Sequence, residues 1–183
     1  MKKVVISLVL AMSSNYALAF STADSRYEGT GHSMSSTGVA STYAARVEIV
    51  PGADNDVGVL NTYTLENGSR YLWNYTVRSG DHGMFAVWSQ NTAIGNGYCM
   101  DLSENAGKWC HYSLKFDNLQ LEESIIMKGN NLFRMGSKYL PATAMKYMWR
   151  ETLSKLVPAP TPEPTPSPDT NNPAPAPLPN GIE

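Results

Sequence analysis

The chain has 183 residues, a formal charge of −2, and 16% charged side chains against 42% hydrophobic ones. So balanced a composition offers no basic face for nucleic acid or an anionic membrane, and no charge excess that would keep the chain unfolded. Two cysteines and three scattered histidines (His32, His82, His111) match no zinc-site spacing, so neither a metal nor a cofactor is expected.

Lys2-Lys3 begin the chain, Val4 to Met12 form an apolar run, and Ala17-Leu18-Ala19 supply an A-x-A cleavage site before Phe20. This is the pattern of a secretory signal peptide over residues 1–19, too short to span a membrane. A secreted or periplasmic location is therefore expected, and loss of Lys2 and Lys3 takes the formal charge from −2 to −4. No cysteine follows the cleavage site to carry a lipid, and no later run reaches transmembrane length.

Residues 20–157 read as one domain, long enough to bury a core without a metal. Arg26 to Met34 predicts a glycine-broken first strand, and Val39 to Val50 a second, with Tyr43, Ala45, Val47 and Ile49 on one face. Val57 to Leu65 and Tyr71 to Val77 alternate around Glu66-Asn67-Gly68. A two-residue turn would put their apolar sets on opposite faces. A three-residue loop with left-handed Gly68 pairs Tyr63 with Tyr71 and Val59 with Tyr75 on one face, and is the expected register. Met84 to Trp88 is a short fifth strand. Gly97 to Leu102 and Lys108 to Phe116 form a hairpin that sets Cys99 opposite Cys110, the spacing of a disulfide in an oxidising compartment. Leu119 to Met127 and Leu132 to Tyr139 form another hairpin.

The segment 142–157 carries both patterns. Met145, Met148, Trp149, Thr152, Leu153 and Leu156 share a helical face, while Met145-Tyr147-Trp149 alternate as a strand. A strand over Met145 to Thr152 is expected, because a last strand can pair with the first and remove both sheet edges. The reading is all-β: an antiparallel up-and-down barrel of about 8–10 strands.

From Pro158 the chain runs PAPTPEPTPSPDTNNPAPAPLPNGIE, which has too little apolar bulk for a core and favours polyproline II or disorder. It reads as an inert or solubilising extension, or as a spacer or ligand for a proline-recognition groove through which a protein partner would bind.

This strand order resembles the calycin barrels, that is the lipocalins, fatty-acid-binding proteins and their small bacterial relatives. Tyr27-Glu28-Gly29-Thr30-Gly31 is similar to their glycine-containing opening strand. Trp149-Arg150 is similar to the closing strand whose basic residue packs across the barrel end in lipocalins. No tryptophan follows Gly29 or Gly31, where lipocalins carry Gly-x-Trp. The resemblance implies a lipocalin-like fold, barrel closure by Trp149 and Arg150, and binding of small apolar molecules.

The aromatic residues Tyr43, Tyr63, Tyr71, Trp73, Tyr75, Trp88 and Trp149 are the candidates for the barrel interior. The ligand-binding set drawn from them is Trp73, Tyr75, Trp88 and Tyr63, with Asn61 as the polar group that orients a small, mostly apolar ligand in an apolar wall. The alternative is a barrel filled by these rings, acting as a structural or protein-interaction domain without a small-molecule ligand. No catalytic residue is expected. Glu122 and Glu123 are adjacent on a strand and face opposite ways, and no nucleophile elbow or phosphate-cradling loop occurs.

Overall fold

The computed structural model describes residues 24–103, 107–116 and 118–157; the expected leader (1–19) and the proline-rich segment (158–183) lie outside them. Alternating burial organises the described residues into ten strands. These are β1 (Ser25–Ser35), β2 (Ala40–Pro51), β3 (Val57–Leu65), β4 (Arg70–Ser79), β5 (Met84–Ser89), β6 (Thr92–Asp101), β7 (Lys108–Phe116), β8 (Leu119–Lys128), β9 (Asn131–Leu140) and β10 (Met145–Lys155). Every strand pairs antiparallel with its sequence neighbours, and β1 pairs with β10, so the sheet closes into a barrel.

The central hairpin takes the three-residue loop. Tyr63 pairs with Tyr71 and Val59 with Tyr75, and Gly68 has φ 81°. Leu65 donates its backbone N–H to the Ser69 carbonyl at 2.9 Å across the loop. Cys99 and Cys110 sit opposite each other on β6 and β7 and are joined in a disulfide. The ambiguous segment is strand β10, whose ladder with β1 runs from Tyr27↔Lys155 to Ser35↔Tyr147. This ladder satisfies backbone groups that a surface helix would have left as two open sheet edges. The largest boundary difference is in β6, which begins at Thr92 rather than Gly97 because Thr92 to Tyr98 pair with β5 through an irregularity at Val87/Trp88, and β10 runs on to Lys155 rather than ending at Thr152.

The barrel has two unlike ends. The lower end carries the β2–β3, β4–β5, β6–β7 and β8–β9 connections and the start of β1, and its inward residues Ile49, Val57, Val77, Leu132 and Leu153 are buried. The upper end carries the other five connections. There the inward side chains Leu65, Trp73, Leu121, Lys138, Tyr147 and Trp149 are only half-buried. The wall is also incomplete at this end. Short β5 pairs with β4 only from Thr76↔Trp88 to Ser79↔Phe85, which leaves Arg70 to Tyr75 without a β5 partner. On the outer face of β1 and β2, Arg26–Glu48 and Arg46–Glu48 are ion-paired at 3.2 and 2.8 Å. Such a charged wall belongs in water rather than against lipid tails. No helix of the described residues is long and apolar enough to cross a membrane.

Candidate functional site

The lumen is crossed at mid-height by a buried polar network centred on Arg134. Its position follows from strand parity. Leu132, Arg134 and Gly136 form the inward row of β9, and Arg134 lies opposite Glu151 on β10. Glu123 on β8 is opposite Gly136, one inward position away. The guanidinium grips Glu123 with two parallel bonds, Nε to Oε1 at 2.6 Å and Nη2 to Oε2 at 3.0 Å. Its Nη1 donates to Glu151 Oε2 at 3.0 Å and reaches β3, donating to Asn61 Oδ1 at 2.9 Å and to the Tyr63 hydroxyl at 3.4 Å.

The outer members complete the network. Asn61 donates its Nδ2 to the Trp73 carbonyl at 2.6 Å, which ties the network to β4. The Tyr43 hydroxyl donates to Glu151 Oε1 at 2.9 Å. Tyr43 on β2 and Glu151 on β10 both lie opposite Gly31, which sits between them on β1. A β-carbon on Gly31 would overlap the Tyr43 ring, so the glycine of the opening strand is the space through which the phenol reaches the carboxylate. Gly136 does the same for the Trp149 indole. The Tyr75 and Tyr112 hydroxyls share a 3.0 Å hydrogen bond.

Two carboxylates and one guanidinium, each no more than 3% exposed, thus share the barrel centre. Burial opposes the Arg134 charge, but Glu123 and Glu151 outweigh it and hold the guanidinium pKa well above its ordinary value. Burial raises the Glu123 pKa, against the lowering effect of Arg134 and with Glu151 pushing the same way as burial. Burial likewise raises the phenols, Tyr63 to about 12 and Tyr43, Tyr75 and Tyr112 further.

Above this floor the lumen opens. Trp73 and Tyr63 are half-buried and Tyr71 is 58% exposed, because β5 ends before it can cover them. Lys138 also points inward. Its Nζ lies 4.8 Å from the Tyr147 ring centroid, it has no carboxylate partner among the described residues, and burial lowers its pKa. A depression of about 700 Å³ crosses the rim between β1, β2 and β10, with Ser33, Ser41, Leu65 and Trp149 on its inner side. That volume lies within the range of small-molecule pockets.

The sequence-predicted residues separate accordingly. Tyr63 and Trp73 reach the open part of the lumen, and Asn61 lies in the floor with its amide used by Arg134 and Trp73. Tyr75 is 4% exposed. Trp88 is on the outer wall: it pairs with outward Thr76, and the Arg78 guanidinium carbon stacks 4.1 Å from its ring centroid. Phe85 and Val87 are the inward residues of β5, so alternation alone puts Trp88 outside, and the extra residue at the β5–β6 irregularity, Ile94, is buried. Of the closing pair, Trp149 faces inward over Gly136, while Arg150 is outward, exposed and opposite His32. Arg150 cannot pack across the barrel end, because adjacent strand residues point to opposite faces.

Arg134, Glu151 and Lys138 were not among the predicted site residues. Their signal was a charge within the apolar row of an alternating strand, Leu132-Arg134-Gly136 and Trp149-Glu151-Leu153. Compared with known proteins, the chain matches no family model and no curated relative. Among the described residues no cluster of three or more histidine, cysteine or acidic side chains could hold a metal.

Proposed function

We propose that the chain is a secreted, calycin-like binding module whose upper end receives a small, mostly apolar ligand against Trp73 and Tyr63. The observation that carries this reading is the gradient of exposure along one lumen. Asn61 and Arg134 seal the floor at 0% and 2%, while the aromatic wall above is open to solvent through both the mouth and the gap beside β4. A rigid floor with fixed polar groups beneath an accessible apolar wall is the arrangement by which pockets orient a ligand. Lys138, with no carboxylate partner among the described residues, adds a cation at the mouth over the Tyr147 ring, which favours a ligand bearing an acidic group.

The experiment is a titration of the protein with a fatty acid, a tetrapyrrole and a hydrophobic dye, followed by tryptophan fluorescence, alongside Trp73→Ala. Saturable quenching that Trp73→Ala abolishes supports the reading. The same quenching in Trp73→Ala, or none with any probe, overturns it. One observation favours a second reading, a structural or interaction domain: the Arg134 network is closed by its own hydrogen bonds and leaves no polar group awaiting a ligand. Absence of binding with every probe supports that reading instead.

A further inference from the structure

The outer wall carries an aromatic patch far from the lumen. Tyr98 on β6 meets Trp109 on β7 edge-on at 5.4 Å, and the Trp109 and His111 rings lie stacked with centroids 6.0 Å apart. The His111 ring is held by its Nδ1, 3.0 Å from Ser124 Oγ. Met84 and Met100, opposite Tyr98 and Trp109, are 49% and 46% exposed. A contiguous face of stacked aromatic rings flanked by exposed methionines marks an interaction surface.

We propose that this patch is the docking surface for the chain's own proline-rich segment, which begins at Pro158. Three observations select that occupant. The first is where the chain leaves the barrel. Lys155 donates its backbone N–H to Asn130 O at 2.7 Å and Leu156 to Arg26 O at 2.8 Å, which fixes the exit at the lower rim. From β10 to β7 is three strand spacings, about 14 Å. Five residues of polyproline II cover about 15 Å. The stretch around Pro162-Glu163-Pro164 therefore reaches Trp109, and the segment continues for twenty residues beyond Glu163.

The second is charge. Glu163 is the first acidic residue of the segment, and Lys128, at the end of β8 on the path to Trp109, is exposed and makes no ion pair among the described residues. The third is chemistry. Proline-rich chains bind flat aromatic faces, and a backbone already held extended by its prolines loses little freedom on binding.

The test uses the full chain with Ser167→Cys carrying a spin label. Cys99 and Cys110 are joined to each other and there is no other free thiol among the described residues, so the label is unique. In a ¹⁵N-labelled sample, docking predicts loss of the Trp109 indole N–H signal and broadening at His111 and Tyr98, with the Trp73 indole spared. Trp109→Ser should restore the His111 and Tyr98 signals. Uniform broadening, or none, overturns the proposal. So does the same broadening in a mixture of spin-labelled ¹⁴N chains with unlabelled ¹⁵N chains, since that places the segment of a second copy on the patch.

Discussion

Replacing Arg134 with methionine tests the barrel centre most directly. The substitution keeps an unbranched side chain of similar reach and deletes five hydrogen bonds, two to Glu123 and one each to Glu151, Asn61 and Tyr63. Two carboxylates no more than 3% exposed are left without their cation. Removing one partner of a buried ion pair costs about 3–5 kcal/mol. A domain of this size has about 5–15 kcal/mol in all, so the loss is about a fifth or more of the total. Burial already holds the Glu123 carboxyl above its ordinary pKa, and loss of the Arg134 cation pushes it further up. The variant is therefore least impaired in acid and loses further stability as pH rises through that folded-state value. Urea unfolding followed by tryptophan fluorescence at pH 5 and pH 8 measures both effects. The companion Arg134→Met/Glu123→Gln/Glu151→Gln, which removes every charge, should recover most of the loss, since neutral replacements of buried ionic groups are often tolerated. A loss below about 1 kcal/mol, or one that is the same at both pH values, would refute the claim that the guanidinium neutralises two dry carboxylates.

Three further outcomes are expected. Gly31→Ala should destabilise by about 1–3 kcal/mol, the usual cost of overpacking, because its β-carbon meets the Tyr43 ring; combined with Tyr43→Phe the loss should persist, and with Tyr43→Ala it should shrink, in thermal unfolding. Reducing Cys99–Cys110 should cost about 3 kcal/mol for a loop of this length, read as the shift in urea midpoint with and without reductant. In alkali, Tyr43, Tyr63, Tyr75 and Tyr112 have folded pKa values above the ordinary phenol value of about 10, so the stability they contribute is present below that value and is lost as pH rises toward their folded values. Absorbance at the phenolate wavelength should show these four ionising together with the unfolding signal rather than before it.

Much of the architecture was legible because a strand with one wet face writes its pairing into alternate residues. Tyr63 and Tyr71 share a face only with a three-residue loop, and that register is found. The disulfide was readable for the same reason, from two cysteines equidistant from one turn. Trp88 was misplaced by its aromatic character, although Phe85 and Val87 define the inward row of Met84 to Ser89 and put Trp88 on the other face. Arg150 was misplaced by likeness to a closing strand, although its own neighbours Trp149 and Glu151 define the inward row. The central network escaped because its members are distant in sequence: Asn61 and Arg134 are 73 residues apart and meet only once the cylinder has formed. Glu123 was discounted through its pairing with Glu122, whereas its partner lay on the next strand.

The seam between β1 and β10 has a consequence for how the molecule comes into being. The first strand finds its second neighbour only in the last, more than a hundred residues downstream, so no partial chain can be a finished barrel. During synthesis the N-terminal hairpins must wait with a bare flank, and long-range closure of this kind is slow. Joining residue 24 to residue 156 by a short linker and opening the chain at Asn67 would turn that late encounter into a local hairpin and move the seam to β3 and β4. The permuted polypeptide should then close last through Tyr63 and Tyr71 rather than through Gly31 and Glu151.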